Sequence, residues 1–384
     1  MKPFKVLQLI ATKNGIRAAS GSPNGGLEAV ILNLHEAFQN AGWESHYSDS
    51  VGSKSEASIR YDLENSNYTA YANTVREWVA SKKPDLVIAH GTNALLKYLT
   101  DLGIRVLFIE HSMAISINLN SYGALFRDVA PKARSIGSKI ITVSPITMET
   151  KKEAIAEFGV DFEFDGWCRF QFPTKELLSK PIEKSDGYCI TIARCEEKKA
   201  LMRMTNHCIR NNFDWRLVTS TPNSASEEFF AKWLSRYDQT RIYKNIPREQ
   251  TLSILARGAI LGSSSPFESA GVTAFEGLMF GLPLILNEPP SHDNIHASRM
   301  FLPDDEFITT LRGDQKKTEQ LMHLSIKERK NLRDLVIAHN PVQSVLDSLE
   351  YFAQQIGNPF GEGSMNALEK LLSSSSQFES NKEQ

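Results

Sequence analysis

The chain has 384 residues, 41% of them hydrophobic, with 43 basic against 45 acidic side chains and a formal net charge of -2. That length exceeds what one hydrophobic core ordinarily supports and predicts two α/β lobes. The near-even charge balance excludes global steering towards nucleic acid or an anionic membrane, and no apolar run approaches a membrane span.

In chain order, strand and helix signals alternate. Phe4–Ala11 (FKVLQLIA) is a strand with no signal-peptide pattern around it. A long polar loop, Thr12–Asn24, follows as a candidate lip over a cleft, and then the pair Gly25-Gly26. Leu27, Val30, Ile31, Leu34 and Phe38 recur at helical spacing and predict a helix ending before Gly42. Pro84–His90, Arg105–Glu110 and Lys139–Val143 are further strands. Phe162–Lys184 exchanges periodicity for aromatics, prolines and charge, and predicts the boundary between lobes. The second half repeats the pattern, with strands at Tyr188–Ala193, Trp215–Thr219, Arg241–Ile246, Ala259–Leu261 and Leu284–Asn287. Short apolar strands between amphipathic helices indicate parallel sheets covered on both faces. Val342–Ile356 is one more amphipathic helix, and Ser373–Gln384 is Ser-rich and polar, as expected of a disordered tail. The predicted organisation is an N-terminal domain over 1–165, a second domain over 185–340, helices over 341–372 and a tail over 373–384.

The most informative segment is Ser265–Leu286, SPFESAGVTAFEGLMFGLPLIL. The short apolar run Gly258–Ser265 leads into it. Glu268 and Glu276 flank a loop that turns into a helix, and Gly281-Leu-Pro283 ends that helix before the next buried strand. A carboxylate offers two acceptor oxygens, which suits a pair of neighbouring sugar hydroxyls. Free amides at a helix start favour an electron-rich guest. With a start near Gly271, Glu276 lies roughly 8 Å along the axis. A second segment, Ile190-Thr-Ile-Ala-Arg194 followed by Cys-Glu-Glu-Lys-Lys199, places cations just past a buried strand.

Together these segments resemble the retaining GT-B glycosyltransferases of group 1. Their signature is two glutamates separated by seven residues, a helix of small residues and a Gly-x-Pro turn. The resemblance implies two doubly wound, Rossmann-like domains facing a cleft, with the last helix returning to the N-terminal domain. It also implies transfer of a sugar from a nucleotide-sugar, by the family's habit UDP-linked, with no metal and no other cofactor and with retention at the anomeric carbon. Carried over by position, Glu268 takes the sugar hydroxyls with the amides of Ala270, Gly271 and Val272, and Glu276 takes the ribose. Arg194 and Lys199 take the diphosphate, whose departure builds charge that cations stabilise. Lys198 can exchange roles with Lys199. Alanines at 193 and 200 stand where the family has glycines.

In the first lobe the resemblance places Gly25 and Gly26 beside the donor phosphates and His111, just past the Arg105–Glu110 strand, on the donor. His90 ends the neighbouring strand. His292 and His296 have metal-like spacing in an apparent loop, and Asp161, Glu163 and Asp165 alternate near the boundary; both read as decoys, and no DxD motif is present. The four cysteines, Cys168, Cys189, Cys195 and Cys208, form no CxxC pair and read as reduced thiols of a cytoplasmic protein.

Three readings of the acceptor side remain open from sequence. The expected acceptor is a sugar, lipid or small-molecule hydroxyl. A weaker resemblance to phage enzymes that glycosylate hydroxymethylcytosine runs through Phe108–Ile115, then Tyr122, Phe126, Arg127, Lys132, Arg134 and Lys139, with Arg169–Pro173 beside it. That stretch would grip phosphates and support an extruded base in duplex DNA. The third reading is a catalytically idle nucleotide-sugar-binding subunit.

Overall fold

The computed structural model describes residues 3–10, 26–47, 82–91, 93–111, 125–157, 159–221, 223–266, 268, 271–287 and 296–360. They fall into two compact units. One draws on Met1–Ala19, Leu27–Arg169 and Val345–Gln384, and the other on Ser20–Gly26 and Phe170–Ser344.

The strands of the first unit are β1 (Lys5–Ile10), β2 (Glu44–Tyr47), β3 (Leu86–His90), β4 (Leu107–Glu110), β5 (Lys139–Thr142) and β6 (Gly166–Trp167). They pair in parallel in the order β2-β1-β3-β4-β5-β6. Helices α1 (Gly26–Asn40), α2 (Asn93–Asp101), α3 (Ala130–Ser135) and α4 (Pro145–Ala156) run between them. Residues 86–89 and 106–109 are fully buried, as expected where helices cover a parallel sheet on both faces.

In the second unit the strands are β7 (Cys189–Arg194), β8 (Trp215–Ser220), β9 (Ile242–Lys244), β10 (Ile260–Ser263), β11 (Leu284–Leu286) and β12 (Ile308–Thr310). Their order is β12-β11-β10-β7-β8-β9, again parallel throughout. The helices are α5 (Lys175–Ser179), α6 (Leu201–Arg210), α7 (Ser224–Phe229), α8 (Arg248–Ala256), α9 (Val272–Met279), α10 (Gln315–Met322) and α11 (Ile326–His339). Strand order reverses between β7 and β10, and in such sheets ligands bind outside the carboxyl ends of the strands at that reversal. Here those ends are Arg194 and the run Ser263–Ser265.

The last helix, α12 (Val342–Ile356), carries a regular apolar face: Val345, Leu346, Leu349, Phe352, Ala353 and Ile356 are all buried. From Val345 on it belongs to the first unit. Arg105 Nη1 donates to the Ile356 carbonyl at 3.4 Å, the Arg105 amide donates to the Pro359 carbonyl at 2.9 Å, and Phe360 bridges Ile104. Gly166 lies close enough to Phe352 that an added Cβ would meet its ring at 3.3 Å. Among the described residues no helix is long and apolar enough to cross a membrane, and the four cysteines are free and buried.

Candidate active site

The second unit gathers most of the candidate residues at the carboxyl edge of its sheet. Arg194 is the last residue of β7, with its side chain 54% exposed and a carboxylate oxygen of Glu196 3.3 Å away. Lys199 ends a short 3-10 turn whose next residue, Ala200, is left-handed at φ 48°. From there its Nζ reaches Glu268 Oε1 at 2.6 Å, with about a fifth of each side chain exposed. The sequence assigned Lys199 to the diphosphate alone; here it also faces the acid. Lys198 lies in the same turn.

Glu268 is pinned through its backbone. It forms a parallel bridge with His296, and the Ala297 amide donates to the Glu268 carbonyl at 3.1 Å. The buried His296 ring is held by its Nε2 against Ser263 Oγ at 2.9 Å, at the end of β10. His296 thus has a structural task, whereas His292 lies outside the described residues. Two buried hydroxyls at this end, Ser264 Oγ and Ser298 Oγ, lack a hydrogen-bond partner among the described residues, an arrangement that functional sites often carry.

Helix α9 opens at Val272 with Gly271 before it in the left-handed region, φ 56°. The space on the Cβ side of Gly271 is filled by the protein itself. A Cβ there would strike Ser298 Oγ at 2.6 Å and the Phe301 ring at 3.2 Å, so the glycine serves the turn and its packing. Glu276 lies inside α9 and is 8% exposed. Its Oε1 takes Arg248 Nη2 at 2.8 Å, and the same guanidinium binds Glu176 through Nε at 3.1 Å and Nη2 at 2.8 Å. Burial raises the Glu276 carboxyl above its ordinary range, while Arg248 pulls it down and Glu176 pushes it up. Ala270 and Gly25 lie outside the described residues, and Gly26 is the first residue of α1.

In the first unit, His90 is fully buried at the end of β3, and His111 follows β4. Gln8 fixes the order of donors through them. Its Nε2 donates to the Ile31 carbonyl at 3.3 Å, so its Oε1 must accept from His90 Nε2 at 3.3 Å. His90 Nδ1 then accepts from His111 Nε2 at 2.9 Å. Burial, and then His111, hold His90 well below its ordinary value, and burial pulls His111 down to about 3. Both rings are therefore neutral at pH 7, and His111 acts through hydrogen bonding rather than charge. Beside it the buried Glu110 is paired with the buried Lys151 at 3.5 Å.

The basic and aromatic stretch has a different character from the one its sequence suggested. Phe126, Phe170 and Phe172 are buried in the core rather than displayed. Lys132 pairs with Asp101, and Arg134 and Lys139 pair with Asp165. Tyr122 lies outside the described residues. Among the described residues no three His, Cys, Asp or Glu side chains gather as metal ligands would.

Sequence reasoning missed Arg248, Glu176 and Gln8. Gln8 had a signal, as a polar residue interrupting an otherwise apolar strand. Arg248 had none beyond its place after Pro247.

Two doubly wound parallel domains with a returning C-terminal helix are the GT-B fold. Three solved structures share the fold, each 13% identical to this chain. The starch synthase IV catalytic domain of Arabidopsis thaliana, bound to ADP and acarbose, matches at TM-score 0.59 over 92% of this chain and 100% of that one. Sucrose-phosphate synthase of Thermosynechococcus elongatus matches at 0.58 over 97% and 100%. AviGT4, a glycosyltransferase involved in avilamycin A biosynthesis, matches at 0.57 over 92% and 98%. No curated protein sequence matches the chain. Residues 24–163 match the family model Glycosyltransferase Family 4. That match spans 140 of the 384 residues, and over it the chain is similar to glycosyltransferases of that family.

Proposed function

We propose that the chain is a retaining glycosyltransferase that uses a UDP-sugar and a sugar, lipid or small-molecule hydroxyl as acceptor. Glu268 takes the hydroxyls of the donor sugar, and Glu276 takes the ribose. Arg194 and Lys199 take the diphosphate and stabilise the charge that builds on it as the glycosidic bond breaks. This reading needs no metal.

The observation that carries the proposal is the pairing of Lys199 with Glu268 at 2.6 Å, at the carboxyl edge of the sheet where strand order reverses. Near the switch point a cation and an acceptor of hydroxyl hydrogen bonds stand side by side, as a diphosphate joined to a sugar requires. The starch synthase structure of the same fold holds ADP, a nucleoside diphosphate of the kind proposed. The choice of UDP rests on the resemblance.

DNA is the less favoured acceptor, because Phe126, Phe170 and Phe172 are buried and Lys132, Arg134 and Lys139 are already paired with acids. Mass spectrometry of a nucleotide-sugar panel against two acceptor pools tests the reading. One pool holds simple sugars and lipid-linked glycans; the other is duplex DNA containing hydroxymethylcytosine. Transfer to the first pool is expected. A sugar mass on the DNA instead would reverse the choice of acceptor. Tight donor binding with neither transfer nor hydrolysis would leave an idle binder.

A further inference from the structure

Arginines tie both ends of helix α8 to the C-terminal half of α9. At one end Arg248, the first residue of α8, reaches Glu276 Oε1 at 2.8 Å. At the other, the buried Arg329 of α11 donates through Nη2 to the Ala256 carbonyl at 3.0 Å and the Phe280 carbonyl at 2.9 Å, so one guanidinium caps both helices. Arg248 is itself anchored on Glu176 in the first turn of α5, whose N-cap Thr174 fixes that turn. The position of the guanidinium relative to Glu276 is therefore set by three helices rather than by one flexible side chain.

We propose that Arg248 is a positioning residue for the donor: it holds Glu276 as an aimed carboxylate, so that the ribose meets a charged acceptor instead of a neutral acid. The proposal rests on the reading that Glu276 takes the ribose. An isolated carboxylate this deeply buried would take up a proton, and a protonated acid loses acceptor strength towards hydroxyls. The charged groups around it are few. Arg248 comes from α8 and Glu176 from α5, while α11 supplies Arg329, which binds the Phe280 carbonyl one turn along α9 from Glu276. Strands β10 and β11 contribute no titratable side chain, and Arg299 in the 297–301 turn is paired with Asp305. Arg248 is thus the cation that contacts Glu276.

The test uses the full chain and calorimetric titration with the tightest binder among UDP, ADP and GDP, alongside the 2′-deoxy form of that nucleotide. Wild type, Arg248→Gln, Arg248→Lys and Glu276→Gln are compared across neutral pH. Arg248→Gln is expected to weaken binding at least about tenfold near pH ~6 and to recover as pH rises, because only the ionised acid binds well. Arg248→Lys should restore the flat wild-type profile, and the wild-type preference for ribose over deoxyribose should shrink in Arg248→Gln at the lower pH. A loss of equal size at every pH, or no loss at all, would overturn the proposal. Failure of the underlying reading has a separate signature. In that case Glu276→Gln binds as tightly as wild type, and wild type shows no preference for ribose, whatever Arg248→Gln does.

Discussion

Lys199 and Glu268 neutralise each other across 2.6 Å while each keeps about a fifth of its side chain exposed, so both remain within reach of a guest. Removing the cation should therefore damage turnover more than folding. Lys199→Met is expected to lower kcat by roughly 10²-fold or more, as loss of a single charge-stabilising group commonly does, with little change in melting temperature. Single-turnover transfer and a thermal melt, measured together, check both halves of that statement. His90 gives a prediction of the opposite kind. In the folded chain it stays neutral far below its ordinary value, whereas in the unfolded chain it protonates near 6.5. Below that pH the unfolded state binds the extra proton, so stability is complete above about 6.5 and is lost progressively as pH falls towards the folded value. His111, drawn down to about 3, acts in the same direction. Urea denaturation at pH ~7.5 and ~5 should show wild type losing stability on acidification, and His90→Gln losing less of it.

Among the elements, α9 is the one whose placement matters most, because it carries Glu276 and begins four residues past Glu268. Its two ends are set by glycines in the left-handed region, Gly271 at φ 56° and Gly281 at φ 69°. At Gly281 a side chain would be strained twice over, since its Cβ would also run into the Arg329 carbonyl. Gly281→Ala is expected to cost about 2 kcal/mol or more, the scale of a forced backbone conformation with a steric clash that cannot relax. Equilibrium urea unfolding measures it. The clash is with backbone of α11, the helix whose Arg329 caps α8 and α9, so nucleotide affinity should fall along with stability.

For the molecule as a whole, the first described strand, β1, and the end of α12 belong to the same unit. Helix α12 places six buried apolar side chains there, from Val345 to Ile356. At about 1.5–3 kcal/mol for each large side chain fully buried, that face is worth as much as the net stability of a typical domain. A chain ended after Pro341 should lose the cooperative unfolding transition of the first unit while keeping that of the second. Scanning calorimetry is expected to show two transitions for the full chain and one for the shortened chain, and an unchanged profile would refute the prediction.

The sequence by itself determined the fold class and the elements at the centre of each sheet. Strands such as β3 and β4 are buried on both faces, and α12 has an uninterrupted helical period, so Val342–Ile356 is the same helix in sequence and structure. The Glu268–Glu276 spacing was legible for the same local reason: a loop and a helix lie within one short segment. The edge strands β2, β6 and β12 were not legible. An edge strand is short and open to water on one side, and Glu44–Tyr47 and Gly166–Trp167 show no apolar pattern to read. Tertiary structure alone decided the partners. Gln8 meets His90 because β1 pairs with β3 across a separation of 82 residues, and Arg248 meets Glu276 because the folded chain brings the first residue of α8 up to α9. Periodicity records that a side chain is buried; it does not record which distant element comes to lie against it.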